Sequence, residues 1–147
     1  MTALDIGCGP GVFSVEMAKM VGTSGCVVAA DLQEGMLQIL KTKIHGTPFE
    51  KTIELHKCEE ERIGVSGKFD FILTFYMVHE VPDKTAFFEE VKSLLKDNGR
   101  FLIVEPNFHV SKKKFNKMME TLVSLGFQTV EMPKIFFSRS VLLQNKN

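Results

Sequence analysis

Asp5 closes a short apolar run, and Gly7, Cys8, Gly9, Pro10 and Gly11 follow it directly. Glycines at alternate positions let a backbone turn come very close to a bound ligand, because no Cβ stands in the way. A second apolar run ends at Asp31, whose carboxylate is placed to accept hydrogen bonds from ribose hydroxyls. The dinucleotide fingerprint G-x-G-x-x-G needs its third glycine at the position that Val12 occupies, so the spacing is wrong for a pyrophosphate. No Walker lysine is present. The set suits a ligand that carries a ribose and no phosphate, with Asp5 able to face a cationic group such as an amine.

These residues need elements to hold them, and the apolar pattern supplies a set. Residues 1–6 read as a strand and residues 12–21 as a helix, with Phe13, Met17 and Met20 on one stripe and Gly22 as a stop. Residues 26–30 form a buried strand that ends at Asp31. Residues 33–44 form a helix with Met36, Leu37, Leu40 and Ile44 inward, broken by His45-Gly46-Thr47-Pro48. A short strand over 53–57 follows. Residues 69–75 are almost continuously apolar, the mark of a strand covered on both faces. Pro82-Asp83 starts a helix with Phe87, Val91 and Leu94 or Leu95 in register. Asn98-Gly99 turns the chain into a strand over 100–104. Ser111 can cap a helix carrying Phe115, Met118, Leu122 and Leu125. Two last strands, 128–132 and 138–143, are joined without a helix and should pair antiparallel. Alternating strands and helices predict an α/β fold, a doubly wound three-layer sheet with helices on both faces.

Composition agrees with one unit over residues 1–147. The chain is 44% hydrophobic and 24% charged, ordinary for a globular domain. With 18 basic and 18 acidic residues it carries no formal net charge, which disfavours nucleic acid and anionic membrane as partners. Cys8, Cys26 and Cys58 show no ligand spacing, so no metal is expected. They read as reduced thiols of a cytoplasmic protein. Cys8, in the glycine loop, is either a reactive thiol or, more simply, a small residue that fits. No apolar stretch reaches the length of a membrane span, and no basic region precedes an apolar run as in a signal peptide. Lys112, Lys113, Lys114 and Lys117 form the one basic cluster. A solvated helix start is its plainer reading, against an anion or RNA contact.

Asp5 through Gly11, Asp31 with Met36 after it, Phe69-Asp70 and His79-Glu80-Val81 together resemble the class I S-adenosylmethionine-dependent methyltransferases. The likeness is to the small-molecule branch of the ubiquinone/menaquinone-biosynthesis type and spans essentially the whole chain. It implies a Rossmann-like sheet of seven strands in the order 3-2-1-4-5-7-6, with the last strand antiparallel. It implies that Asp5 and the loop of Gly7, Cys8, Gly9 and Gly11 hold the amino-acid end of S-adenosylmethionine. Asp31 would take the ribose hydroxyls, and Leu32 and Met36 would flank the adenine. Cys58, Glu59 and Glu60 stand where the family has Gly-Asp-Ala, so Glu59 would replace the aspartate that accepts from the adenine amine. A solvated charged turn is the other reading of residues 59–62. Thr74, Phe75 and Tyr76 would lie beside the sulfonium.

Methyl transfer is an in-line displacement on a carbon already activated by the sulfonium, and positioning can supply roughly 7–11 kcal/mol of its barrier. A general base is needed only when the acceptor must lose a tightly held proton. Tyr76, His79 and Glu105 are the leading candidates, with Glu80 and His109 nearby. Structural hydrogen bonding is the bland alternative for His79, and a plain strand-end carboxylate for Glu105. Thr74-Phe75-Tyr76-Met77 is not the Asn/Asp-Pro-Pro-aromatic motif of enzymes that methylate exocyclic nitrogens. The first reading is therefore a methyltransferase acting on a small-molecule acceptor. The second is an S-adenosylmethionine-binding module, inactive alone or serving as a partner subunit. The family usually places helices before strand 1, and these residues leave no room for them; the expectation is an open pocket, a covering chain, or a natural start upstream of residue 1. Apolar surface near Phe13, Met17 and the cleft would then favour a homodimer or a covering partner chain. An NAD-dependent oxidoreductase is disfavoured by Val12.

Overall fold

A computed structural model describes residues 1–146; Asn147, the last residue of the expected unit, lies outside the described residues. Seven strands form one sheet: β1 (Thr2–Ile6), β2 (Cys26–Asp31), β3 (Ile53–Lys57), β4 (Phe69–Phe75), β5 (Leu95–Pro106), β6 (Phe127–Glu131) and β7 (Ser138–Asn145). Their order is β3-β2-β1-β4-β5-β7-β6, as the resemblance implies. The first five pair in parallel, and β7 runs antiparallel to both β5 and β6. Four helices cover the sheet: α1 (Val12–Val21), α2 (Glu34–Ile44), α3 (Lys84–Leu94) and α4 (Lys112–Ser124).

Strand side chains alternate between faces, and here both faces are apolar because both are covered. Leu4, Ile6, Ile72 and Ile103 pack with Phe88, Val91 and Phe115 on the α3/α4 side. Ala3, Val27, Ala29 and Leu73 pack with Met17, Leu37 and Leu40 on the α1/α2 side. The chain leaves β1 toward β2 on one side, and β4 lies on the other. A crevice opens at such a reversal, beyond the carboxyl ends of the strands.

Three local expectations shift by a residue or more, each for a packing reason. In α1 the buried face is Ser14, Met17 and Ala18, while Met20 is exposed. Ser14 turns inward to donate to Asp5, and Phe13 is left to lie against Phe75, with ring centroids 4.3 Å apart. Met17 is thus core rather than bare surface. In α3, Phe88 rather than Phe87 joins Val91 and Leu94 inside. The expected turn at Asn98-Gly99 is an irregularity within β5: Leu95 already pairs with Phe69, and regular register resumes at Arg100 with Phe71.

Candidate functional site

The loop from Gly7 to Gly11 is built on left-handed backbone, with φ of 74°, 56° and 88° at the three glycines. A Cβ on Gly11 would run into the Leu40 side chain, so α2 packs where only glycine leaves room. The loop is tied to β2 twice through its backbone: Gly7 and Cys8 N–H both donate to Ala30 O. It is tied again through Asp31. Gly9 N–H donates to Asp31 Oδ2 and Gln33 N–H to Asp31 Oδ1, each at 2.8 Å. A carboxylate has about four acceptor sites, so two remain for a ligand.

Asp5 lies beneath this loop, 2% exposed, and Ser14 Oγ donates to its Oδ2 at 2.6 Å. Burial pushes its carboxyl up to about 6, the Ser14 hydrogen bond opposes that, and the nearby Asp31 charge adds to it. Burial likewise pushes the Cys8 thiol up to about 12 and Cys58 to about 11. Neither is poised as a thiolate nucleophile. Cys8 is buried in the loop, with its Sγ 3.4 Å from Gly9 O.

A cavity of about 830 Å³ opens beside the loop at the strand ends. Gly7, Asp31, Leu32, Cys58, Phe75 and Tyr76 are on its wall, together with Glu59 and Glu60. Asp5, Cys8, Gly9, Gly11 and Met36 are not on that wall; they support the loop or α2 around it. Thr74 is fully buried within β4 and does not reach the cavity. Residues 59–62 are both a wall and a solvated turn. Glu59 N–H donates to Arg62 O, and Arg62 Nε donates to Glu59 Oε2 at 2.7 Å, holding that carboxyl below its usual range. The start of α3 closes the opposite side with Asp83, Ala86 and Phe87. Sequence reasoning missed this wall because Phe87 beside Phe88 read as core. It also missed Met77, which packs over Gly7.

Of the proton-handling candidates, Tyr76 and Glu80 line the cavity, and His79, Glu105 and His109 do not. Tyr76 is the one of the three leading candidates on the wall. It is held at φ 58°, a costly backbone for a bulky residue, by its N–H donation to Val104 O at 2.7 Å. Its hydroxyl shares a hydrogen bond with Ser138 Oγ at 2.8 Å. His79 sits on a short 3₁₀ turn over Val78–Glu80, behind the wall. Its Nδ1 is 2.9 Å from Glu105 Oε2. Glu105 is 1% exposed and also accepts from the Val78 and His79 N–H groups. Burial pushes its carboxyl up, and His79 and the two amides offset part of that. His109 faces His79 at 6.0 Å between ring centroids, and Phe108 links His109 to Tyr76. The ends of β4 and β5 thus form one continuous rim. Both bland readings hold as geometry, since His79 and Glu105 do bond structurally. Together they also make a carboxylate-oriented imidazole.

The sequence model described as a methyltransferase domain matches residues 1–142. The chain belongs to the methyltransferase domain family, in its class I, S-adenosylmethionine-dependent branch. It is 32% identical over 104 residues to the demethylmenaquinone methyltransferase of Lactobacillus johnsonii, covering 70% of this chain and 43% of that protein. It is 27% identical over 120 residues to the ubiquinone/menaquinone biosynthesis C-methyltransferase of Shewanella oneidensis, covering 79% and 48%. The chain therefore spans less than half the length of these curated relatives. A crystal structure of a SAM-dependent methyltransferase from Aquifex aeolicus superposes with a TM-score of 0.85 at 26% identity, over 97% of this chain and 81% of that one.

The family and the Aquifex aeolicus structure indicate S-adenosylmethionine as cofactor, and the wall chemistry fits it. Asp31, Glu59, Glu60, Glu61, Glu80 and Asp83 all line the cavity, against Arg62 as its one guanidinium. Such a wall repels a pyrophosphate and favours a nucleoside bearing sulfonium and ammonium charge. Among the described residues no group of three His, Cys, Asp or Glu side chains is placed to hold a metal ion, and no helix is long and apolar enough to cross a membrane.

Proposed function

We propose that residues 1–147 act as one unit that binds S-adenosylmethionine and directs its methyl group to a small-molecule acceptor. The carrying observation is the left-handed glycine loop clamped to Asp31 at the mouth of an acidic cavity. When bound, the cofactor supplies an electrophilic methyl carbon on a sulfonium. In this reading Asp31 uses its free acceptor sites for the ribose hydroxyls. Gly7 and Gly9 give the amino-acid end close backbone contact, and Asp5 supplies negative charge beneath it. Leu32 and Met36 flank the adenine. Cys58, Glu59 and Glu60 meet its polar edge.

Phe75 and Tyr76 shape the reacting end. The two rings stack at 4.3 Å, which orients the acceptor side of the cavity. With Glu105 ionised, His79 would carry its proton on Nδ1, and its Nε2, 3.9 Å from Glu80 Oε1 on the cavity wall, would take a substrate proton at that rim. Glu105 is then a positioning residue. The names of the two relatives point to a quinone-type ring as acceptor class, and the cytoplasm is the expected compartment. A second copy or a partner chain over the cleft remains part of the proposal, with Phe13 and Val12 exposed beside it.

Calorimetric titration with S-adenosylhomocysteine and with NADH tests the cofactor reading. Binding of the first and not the second is expected, and the reverse overturns it. Incubation with methyl-labelled S-adenosylmethionine and a quinol acceptor tests transfer. Tight binding with no transfer to any acceptor in a cell extract assigns the chain as a binding module.

A further inference from the structure

Formal neutrality hides a one-sided charge distribution. From Pro106 to Asn147 the sequence has seven basic residues and two acidic ones, leaving eleven basic against sixteen acidic before it. The structure gathers much of that basic charge around a second, shallow cavity of about 540 Å³ between the start of α4 and the link from β6 to β7. Lys112, Lys134 and Arg139 line it. Lys113, Lys114 and Lys117 extend the charge along α4.

The same face exposes large apolar side chains. Phe136 is 82% exposed, Phe137 64% and Met132 56%, and all three line this cavity. Phe108, 65% exposed, stands next to them, because Asn107 N–H donates to Phe137 O. Phe137 is held at φ 56°, so the backbone is kept in a conformation costly for a bulky residue while its ring faces water. Soluble proteins rarely leave such a cluster uncovered. Apolar side chains that share a cavity rim with Lys112, Lys134 and Arg139 match the two layers of an anionic lipid surface, acyl chains beneath charged headgroups.

We propose that this face docks the protein on an anionic lipid bilayer. Lys112, Lys113, Lys114, Lys117 and Lys134 meet the headgroups, and Phe108, Met132, Phe136 and Phe137 enter the boundary below them. A single-stranded nucleic acid would need open ring faces for stacking. Phe136 and Phe137 instead pack edge to face at 4.2 Å, which covers one ring with the other. Docking also brings the membrane to the candidate site. Ser138, on the cavity wall, bonds to the Tyr76 hydroxyl, and Phe108 meets the Tyr76 ring. An acceptor dissolved in lipid would emerge at the rim that holds Tyr76 and His79. That last step rests on the proposed methyl transfer, whereas the docking does not.

Flotation with vesicles tests it. The chain should float with vesicles of phosphatidylcholine and phosphatidylglycerol in equal parts, stay behind with phosphatidylcholine alone, and detach as salt rises. Replacing Lys112, Lys113 and Lys114 together by Gln should weaken partition by about a hundredfold. Phe136→Ser should weaken it by about tenfold. Both variants should keep wild-type affinity for S-adenosylhomocysteine, which shows that they fold. No flotation with the mixed vesicles, or flotation indifferent to these substitutions, overturns the proposal. So does a Phe136-dependent dimer in sedimentation without vesicle binding, or tighter binding of single-stranded RNA at the same salt. Failure of methyl transfer with flotation intact would count against the proposed function alone.

Discussion

Asp5→Asn should stabilise this protein, and only above mildly acidic pH. The carboxyl is 2% exposed, and burial lifts it from 3.8 to about 6, with Asp31 adding repulsion and Ser14 opposing. A carboxyl raised on folding prefers its protonated form in the native state. Its contribution is fully present below the unfolded value and is lost as pH rises through the folded one. The gap corresponds to about 3 kcal/mol. Asn keeps an acceptor for Ser14 Oγ–H and never ionises. The variant should therefore match the wild type near pH 4 and exceed it by about 3 kcal/mol above pH 7, a rise of roughly 6–12 °C in melting temperature for a chain of this size. Thermal and urea unfolding of both proteins without ligand, across that pH range, measures the difference directly, and titrating groups away from Asp5, Asp31 and Cys8 cancel in the comparison. Ser14→Ala should do the opposite, losing about 1.5–3 kcal/mol at high pH and less near pH 4. A pH-independent difference, or an Asn variant weaker at pH 8, would refute the claim that burial raises the Asp5 carboxyl beneath the loop.

The glycine loop makes a paired prediction. Gly11→Ala drives a Cβ into Leu40 as well as adopting a left-handed backbone, and should destabilise by roughly 2–5 kcal/mol in urea unfolding. Gly9→Ala meets nothing within 4 Å and should cost only about 1–2 kcal/mol, all from its backbone. Asp31→Ala should weaken S-adenosylhomocysteine binding by about 1.5–3 kcal/mol in calorimetry; unchanged affinity removes Asp31 from the ribose site. Glu105→Gln should lower kcat by about a hundredfold or more with cofactor affinity intact, and the lost rate should return at alkaline pH, where an acidic acceptor ionises without help. A loss that high pH does not restore would leave Glu105 a purely structural group.

Much of this was legible because short-range signals and long-range needs agreed. Asp5, the three glycines and Asp31 lie at the ends of two runs that are apolar throughout, so the strands, the loop and their meeting at the switch point follow from local pattern. The last strand's direction followed from the missing crossover helix. What was not legible depends on partners distant in sequence. Phe87 and Phe88 are equivalent as letters; only α3's rotation over the sheet puts one in the core and one on the cavity wall. His79 and Glu105 are 26 positions apart, and nothing local says that a carboxylate at the end of β5 receives the imidazole and two amides from the turn after β4.

The net charge says little about the surface for a related reason. A sum over the chain carries no position, and its zero came from opposite excesses on two parts of the sequence. The fold turns that division into geometry: acidic side chains line the cavity at the ends of β1 and β2, and Lys112, Lys134 and Arg139 line the second cavity with exposed Phe136 and Phe137 beyond β5. The two regions meet at Tyr76, whose ring is on one cavity wall and whose hydroxyl is bound to a residue of the other. A cationic nucleoside and an apolar acceptor would thus approach from opposite sides. Tyr76→Phe separates the residue's two roles. It keeps the ring that shapes the cavity and removes the bond to Ser138, at a cost of about 1 kcal/mol in stability. If the hydroxyl serves mainly to tie the two regions together, S-adenosylhomocysteine affinity should hold while KM for the acceptor rises. A fall in kcat at unchanged KM would instead place the hydroxyl in the proton transfer.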